Sequence, residues 1–259
     1  MNGTQVATGK GEAATPMSVD LTVDPGMTTV TVYTTNSVGK SPEAQVKAYI
    51  GPDTPQPPTD VKLAYDETLQ KATLTWTAPT LGENAGQLKP ENISYKVVTY
   101  PDMNEVADKV KETSLTVDLP SDQPLTAYKY AVFAYNGDIK GKGRVSNKVV
   151  VGRPMEAPYS QDFSTTQKFD ICEVVNVNAD ANTWIKEGKY AKYVYNFYNK
   201  ADDWLLTPPV KLKGGQDYTF SITARKGVAK YREKIMLGYG ESTDVTLSLI
   251  HISEPTRPI

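Results

Sequence analysis

Three oxygen-bearing side chains alternate along one short stretch of the chain, at Asn178, Asp180 and Asn182. Alternate residues of a tight loop can turn toward one point, and carboxylate and amide oxygens are the ligands that Ca²⁺ prefers. The stretch lacks the glycine and the distal glutamate of an EF-hand loop, and only one of the three side chains is charged. The alternative is an Asn- and Asp-rich turn whose side chains hydrogen-bond to their own backbone. Both interpretations stay open.

A dense group of aromatic residues follows this loop. Exposed rings can stack on sugars or contact a protein partner. The candidate ligand-binding residues are Trp184, Tyr190 and Tyr198. Core packing is the alternative, because Tyr193, Tyr195 and Phe197 alternate as residues on one buried face of a strand do.

The residue types needed for catalysis are almost absent. His251 is the one histidine and Cys172 the one cysteine, and no serine stands in a Gly-x-Ser-x-Gly or Ser-x-x-Lys frame. Cys172 follows Phe169, Asp170 and Ile171, which suggests an apolar strand rather than a reactive thiol. We therefore predict that the chain is not itself an enzyme.

Composition narrows the class of protein further. The 28 Lys and Arg residues nearly balance 30 Asp and Glu residues, giving a net charge of −2, which does not favour nucleic acid or an anionic membrane as partner. No apolar run approaches the roughly 20 residues of a membrane helix, and no signal region follows Met1. With 16 Tyr, 18 Gly and 18 Pro, the chain suits short half-buried strands joined by tight turns. We predict an all-β fold.

Residues 73–77 carry the clearest strand pattern, because Leu74 and Trp76 alternate with threonines and must point into one core. A full set of strands surrounds them. The predicted strands are 61–63, 72–76, 93–99, 114–119, 127–135 and 145–151. Residues 105–111 could form a short helix, and the basic run 140–144 is interpreted as a solvated turn.

Residues 1–51 look like the second half of a similar module. Alternation predicts strands at 19–23, 30–33 and 44–49, and Asn2 with Gly3 gives a hairpin-turn signal. A Val-aromatic-x-x-Asn pattern begins at Val32 and again at Val132, an offset of 132 − 32 = 100. The proline-rich stretch 51–58 between the two copies is a stiff linker.

These residues resemble the fibronectin type III family. Trp76 on the second strand, Tyr95 on the third, Leu119 before a turn, and Tyr130 with Val132 on the sixth stand where that family places its core. The resemblance covers residues 53–152 fully and 1–51 in part. It implies two consecutive β-sandwich modules, the first of them partial.

Residues 155–246 resemble a different family, the cleaved-adhesin or choice-of-anchor jelly-roll modules. The motifs are Pro158-Tyr159-x-x-Asp162-Phe163, the Asn/Asp loop ending in Trp184, and Asp202-x-Trp204-Leu205-x-Thr207-Pro208. The resemblance implies an incomplete β jelly roll from a secreted or surface-attached bacterial protein. It also implies calcium, with Asp162 and either Asp202 or Asp203 as additional ligands to the 178–182 loop.

The run 247–257 resembles the translation of a sequencing-library adapter. We therefore expect residues 247–259 to be a non-native tail, the natural protein to continue past Thr246, and His251 to carry no catalytic role.

The sequence thus predicts an all-β chain of tandem fibronectin type III β-sandwiches followed by an incomplete jelly roll. The expected function is non-catalytic adhesion or domain spacing at the cell surface, with an extracellular protein or glycan as partner. Two alternatives stay open. The modules could be accessory to a secreted peptidase or glycoside hydrolase, or they could form a purely structural stalk.

Overall fold

A computed structural model describes residues 7–12, 15–227 and 235–240, and the backbone alone of residues 250–251. The predicted turn at Asn2 and Gly3 and most of the 247–257 run lie outside these described residues. The chain divides into two compact units. The first comprises Met1–Ser121 and Tyr128–Val151, and the second comprises Asp122–Ala127 and Gly152–Ile259.

The first unit begins with an antiparallel hairpin of strands β1 (Gly26–Val32) and β2 (Ala44–Ile50). The hairpin keeps much of its apolar surface open, since Met27, Val32 and Val46 are all exposed. Two of the three strands predicted in this region are present. The third, at 19–23, is wrong, because these residues form no strand and have no partner strand in the described part of the chain.

A β-sandwich occupies the rest of the first unit. Its strands are β3 (Thr59–Asp66), β4 (Lys71–Thr77), β5 (Ile93–Thr99), β6 (Glu105–Val110), β7 (Ser114–Asp118), β9 (Tyr130–Asn136), β10 (Ile139–Val145) and β11 (Val149–Val151). Strand β8 (Thr126–Tyr128) spans the boundary between the two units, with only Tyr128 in the first. One sheet has the order β3-β4-β7 and the other the order β10-β9-β5-β6, with antiparallel neighbours. A single 3₁₀ turn, Pro90–Asn92, leads into β5.

The core lies between these two sheets. Along β4 every second residue is buried, so Ala72, Leu74 and Trp76 point inward and the residues between them face solvent. The Trp76 ring meets the Tyr95 ring edge to face, with 5.1 Å between the centroids. Tyr95 stands on β5 of the opposite sheet, so this contact joins the two sheets. The predicted core positions of Trp76 and Tyr95 are confirmed, since both are buried.

The edge of β3 is closed by a side chain instead of a strand. Asn147 accepts a hydrogen bond from the Leu63 amide at 2.7 Å, and its Nδ2 donates to the Leu63 carbonyl at 2.9 Å. Both backbone groups of Leu63 are thereby satisfied at a position where water or another chain could otherwise pair.

Two sequence interpretations in this unit are corrected. The possible helix at 105–111 is strand β6, because Tyr95, Val97 and Val98 of β5 supply a ladder for it. The basic run 140–144 is not a turn but most of strand β10. The turn falls earlier, at Gly137, whose φ of +60° allows β9 to reverse directly after Asn136.

The second unit is built from short strand pairs. Its strands are β12 (Met155–Glu156), β13 (Glu173–Asn176), β14 (Trp184–Glu187), β15 (Tyr190–Tyr193), β16 (Asp203–Leu206), β17 (Val210–Lys211), β18 (Gly238–Tyr239) and β19 (Ile250–His251). The pairs are β13 with β16, β14 with β15, β18 with β19, all antiparallel, and β12 with β17, parallel. A five-residue helix, α1 (Thr166–Asp170), is capped at its N-terminus by Thr165, whose hydroxyl accepts from the Lys168 amide.

The strand suggested around Cys172 is wrong. Cys172 is fully buried, but it follows α1 and lies outside any strand. Residues 218–224 form no strand, and within 235–240 only Gly238 and Tyr239 are in one. No helix in the described part of the chain has the length and apolarity needed to cross a membrane.

Candidate functional site

The Asn178–Asp180–Asn182 stretch forms two consecutive side-chain turns. Asn178 Oδ1 accepts from the Asp180 amide at 3.2 Å, and Asp180 Oδ1 accepts from the Asn182 amide at 2.7 Å. Such bonds let Asn and Asp stabilise a turn of their own backbone. This geometry has the form of the capping alternative, while the calcium prediction for the loop stays a prediction.

The second carboxylate oxygen of Asp180 accepts hydrogen bonds from three side-chain amides, two of them on a neighbouring loop. Asp180 Oδ2 accepts from Nδ2 of Asn196 at 2.7 Å, of Asn199 at 3.2 Å and of Asn178 at 3.4 Å. The Asn182 amide, assisted by these three side chains, lowers the pKa of Asp180. Asp180 therefore ties the 178–182 loop to the 196–199 loop. The sequence contained the signal for this, since Asn196 and Asn199 interrupt the aromatic run.

Of the more distant calcium ligands predicted from the sequence, Asp162 is engaged elsewhere. It pairs with the Lys168 ammonium at 2.8 Å, and this contact, with the Ser164 amide, holds the pKa of Asp162 well below its usual value. Asp202 is exposed, and its backbone carbonyl accepts from the Val177 amide at 3.0 Å. Within the described ranges no group of three or more His, Cys, Asp and Glu side chains is placed to hold a metal ion.

The three candidate ligand-binding aromatics have different surroundings. Trp184 is half-buried, its Nε1 donates to the Asp203 carbonyl at 3.1 Å, and its ring lies 5.7 Å from that of Tyr193. Tyr190 donates from its hydroxyl to Glu187 at 2.7 Å. Tyr198 is 91% exposed. Tyr198 is therefore the most open of the three rings, while Tyr190 is partly exposed with the Arg225 guanidinium 5.6 Å from its ring centroid.

A pair of further exposed rings accompanies Tyr198. Tyr195 is 68% and Phe197 79% exposed, so the predicted buried strand face does not exist: β15 ends at Tyr193, and the later rings lie on a loop. Phe197 meets Tyr198 edge to face with 5.4 Å between centroids. Asn196, which lies between Tyr195 and Phe197 in sequence, donates its side-chain amide to Asp180. We call residues 195–198 the aromatic loop.

Asp53, in the linker, was missed by the sequence interpretation. Its side chain is fully buried, as are those of Pro55 and Pro58. Its carboxylate accepts from the backbone amides of Asn84 and Gly86, each at 3.0 Å, and from Asn84 Nδ2 at 2.9 Å. The linker is therefore fastened to the sandwich. An acidic residue inside a proline-rich stretch was the available signal.

Strand β9 also contacts Asp53. Asn136 Nδ2 donates to the Asp53 carbonyl at 3.0 Å. This gives a role to the second Asn of the Val-aromatic-x-x-Asn repeat. In the first copy, Asn36 instead closes its own turn, accepting from the amides of Val38 and Gly39 at 2.8 and 3.0 Å.

Residues 56–151 match the family model described as Fibronectin type III domain. The resemblance stated for residues 53–152 is thereby confirmed for this stretch. The jelly-roll resemblance of 155–246, the partial module at 1–51 and the adapter resemblance stay predictions. A search of curated proteins finds no match.

Three solved structures are among those similar to parts of the chain. A computer-redesigned β-sandwich protein is 26% identical, with 38% of this chain and 95% of that chain covered and a TM-score of 0.28. An Fn3-like protein from Clostridium thermocellum is 20% identical, with 39% and 94% covered and a TM-score of 0.27. Domains d3-d4 of the rat CD45 extracellular region are 15% identical, with 57% and 77% covered and a TM-score of 0.32.

Proposed function

We propose that this chain is a non-catalytic part of a larger secreted or surface-attached protein. In it the 53–152 module holds its neighbours at a fixed spacing, and the 155–246 segment presents a surface for an extracellular protein or glycan. The observation that carries the spacing role is the burial of Asp53, which makes the linker a part of the sandwich.

The contacts of the linker support a stiff connection. Proline fixes its own φ, so Pro55 and Pro58 limit bending before any tertiary contact is made. The hydrogen bonds to Asp53 then attach the linker to the 82–86 loop. On the other side, the Tyr49 ring of β2 lies against Gly86, where an added Cβ would be 3.0 Å from Tyr49 Cδ1. The 82–86 loop therefore contacts both Asp53 of the linker and Tyr49 of the strand before it.

The test is whether the β1–β2 hairpin and the sandwich tumble as one body. Backbone ¹⁵N relaxation of the full chain should give the same rotational correlation time for amides of 44–50 and 71–77. Asp53→Ala should make the correlation times of the two groups of amides differ. Asp60→Ala is the control, because it removes an exposed carboxylate that accepts from the Thr59 and Thr77 hydroxyls, and it should leave the two correlation times equal. Independent tumbling in the wild-type chain would contradict the spacing role.

Ligand binding is a second candidate role, favoured by the aromatic loop. Three exposed rings stand beside amide side chains that Asp180 holds in place, and flat rings next to amide groups suit carbohydrate recognition. An open aromatic surface of this kind also suits a protein partner. The binding role is independent of the spacing role.

A glycan and matrix-protein array with the full chain tests this binding role. The double substitution Phe197→Ala and Tyr198→Ala should abolish any signal. Tyr190→Phe is the matched control because it keeps the ring and removes only the bond to Glu187. A signal that the double variant retains, or no signal from the wild-type chain, would contradict binding at the aromatic loop.

The two alternative settings for these modules make different predictions about the uninterrupted gene. Accessory modules of a secreted peptidase or glycoside hydrolase require a catalytic motif elsewhere in the open reading frame. A structural stalk requires a long series of repeats without one. Sequencing the complete gene distinguishes them.

A further inference from the structure

The turn between β9 and β10 contains an asparagine followed directly by a glycine, Asn136 and Gly137. In such a pair the glycine amide nitrogen can attack the asparagine carboxamide carbon, because glycine has no side chain to obstruct the approach. The N–Cγ bond forms, the Cγ–Nδ2 bond breaks, and the amide proton leaves with the side-chain nitrogen as ammonia. Water then opens the resulting succinimide ring and leaves an aspartate or an isoaspartate. The chain therefore holds every reactant of this conversion except water.

Both reacting nitrogens are hydrogen-bonded in the folded module. The Gly137 amide donates to the Asn92 carbonyl at 3.0 Å. Asn136 Nδ2 donates to the Asp53 carbonyl at 3.0 Å. Bringing the glycine nitrogen onto Cγ would break the first bond, and expelling Nδ2 as ammonia would break the second. The 3₁₀ turn before β5 and the linker thus hold the nucleophile and the leaving group in place.

The backbone of Asn136 is restrained as well. Asn136 pairs with Ile93 of β5 on one side and with Ile139 of β10 on the other, and it is 8% exposed. Closing a five-membered ring requires the main chain to rotate away from the extended conformation of a strand. That rotation would break the ladder on both sides. The folded module therefore blocks the reaction, whereas the unfolded chain has none of these restraints.

The product could not rebuild the native contacts. A carboxylate at position 136 has no N–H to donate to the Asp53 carbonyl, and it would place a charge in a nearly buried position. The isoaspartate form also adds a methylene to the main chain directly before Gly137, whose φ of +60° shapes the turn. Conversion is therefore incompatible with the contact that fastens the linker.

We propose that Asn136 and Gly137 form a latent modification site. The folded module blocks succinimide formation, and each unfolding event exposes the pair to irreversible conversion. A converted chain then refolds without the contact between Asn136 and Asp53. The proposal concerns the chemistry of the module alone and does not depend on the spacing role.

Mass spectrometry of the full chain tests the block. A tryptic peptide, residues 130–140, holds Asn136 as its one asparagine, and peptide 1–10 holds the other Asn-Gly pair as an internal reference. In denaturant at mildly alkaline pH, both peptides should exchange NH₂ for OH. Without denaturant, peptide 130–140 should convert at least about 100-fold more slowly, because only transiently opened molecules react. Equal rates in the two conditions, or no conversion in denaturant while peptide 1–10 converts, would overturn the site.

The role of the linker is tested with Asp53→Ala. This variant loses the side-chain bonds that hold the linker, so peptide 130–140 should convert at least about tenfold faster than in the wild type without denaturant. Asp60→Ala is the matched control and should convert as the wild type does. A wild-type rate in Asp53→Ala would refute the linker's part in the block.

Circular dichroism checks that Asp53→Ala folds. If it does not, the wild-type chain at increasing denaturant decides, since the conversion rate of peptide 130–140 should rise with the unfolded fraction. A rate that does not follow this fraction counts against a block by the fold.

Asn136→Asp tests the consequence of conversion. The variant carries the aspartate product, so its β9 amides should exchange at least about tenfold faster than those of the wild type. Asn104→Asp places the same carboxylate at an exposed position and should leave β9 exchange unchanged. If β9 exchange in Asn136→Asp equals that of the wild type, conversion does not unfasten the linker, and this part of the proposal is wrong.

Discussion

The Gly86 amide donates to Asp53 Oδ2 at 3.0 Å, across 33 residues of chain. The two residues are so close that a Cβ on Gly86 would stand 2.9 Å from the same oxygen. Gly86 thus has to be small to let its own backbone reach the carboxylate. The contact turns a proline-rich connector into an integral part of the sandwich, on which the proposed spacing role depends.

Gly82 should tolerate no side chain. A Cβ there would lie 2.2 Å from Asp53 Cγ, inside any real contact distance. We expect Gly82→Ala to destabilise the sandwich by about 1–3 kcal/mol, in the range of other overpacking substitutions. Hydrogen exchange of the β4 amides in the full chain reports the free energy of unfolding of this module. Gly214→Ala, where an added Cβ meets nothing within 4 Å, should leave it unchanged.

The stability of the sandwich should depend on the ionisation of Asp53. Burial alone would raise the pKa of this carboxyl, but hydrogen bonds from Asn84, Gly86 and Thr54 outweigh it and hold the pKa below its usual value. A lowered folded-state pKa gives stability that is present above the unfolded pKa of about 4 and is lost as the pH falls toward the folded value.

Asp53→Asn provides the measurement for this dependence. At pH 7 the variant should be less stable by about 2 kcal/mol, because buried amides lose their acceptor. The difference from wild type in β4 amide exchange should shrink as the pH is lowered from 6 toward 3. A difference that stays constant over this range would show that Asp53 contributes no charge-dependent stability.

Trp76 should be sensitive to loss of its ring and tolerant of loss of its N–H. Its Nε1 is buried and makes no well-aligned hydrogen bond among the described residues beyond a weak contact with the Tyr95 side chain, so the polar atom adds little stability. Trp76→Ala should cost about 3–5 kcal/mol. Trp76→Phe, which keeps an edge for the contact with Tyr95, should cost about half of that or less. Amide exchange at β5 under increasing denaturant measures the loss of unfolding free energy in both variants. Equal losses in Trp76→Ala and Trp76→Phe would contradict the structural role given to the ring.

Tyr198 and Trp184 should behave differently when truncated. Tyr198 is 91% exposed, so Tyr198→Ala should change the free energy of unfolding by less than about 0.5 kcal/mol. Trp184→Ala should cost about 2–4 kcal/mol, because it removes the packing on Tyr193 and leaves the Asp203 carbonyl without its donor. Thermal melts of the second unit, followed by near-ultraviolet dichroism, compare the two. A large loss in Tyr198→Ala would place that ring in a core.

Amide protection should differ between the hairpin and the sandwich. In the described part of the chain, strands β1 and β2 pair with each other and with no further strand, and Met27 and Val32 are about 60% exposed. Strands β4 and β5 instead lie within larger sheets that cover a closed core. A two-stranded sheet has little stability of its own. Amides of 26–32 should exchange at least about 100-fold faster than those of 71–77. Equal protection would mean that the hairpin shares the core of the sandwich.

The sequence by itself determined the elements whose signals are local. Alternation at Leu74 and Trp76 specified a strand with one buried face, and the turn residues and repeat specified a module matching the fibronectin type III family, because side-chain period and turn chemistry act within a few residues. The strand at β6 was missed because its ladder partner is β5, which is separated from it along the chain and which short-range propensity does not contain.

Only the tertiary structure decided what the polar residues do. From the sequence alone Asp53 is a solvated linker residue, but in the structure the 82–86 loop binds and buries it. Asp202 and Asp203 are adjacent in sequence, but Asp203 pairs with Asn176 across the strands and is half-buried, whereas Asp202 is exposed. Hydrogen-bond satisfaction and burial are properties of residues distant in sequence, so no spacing rule predicts them. The same reason separates Tyr198, left open on its loop, from Tyr193, closed against Trp184.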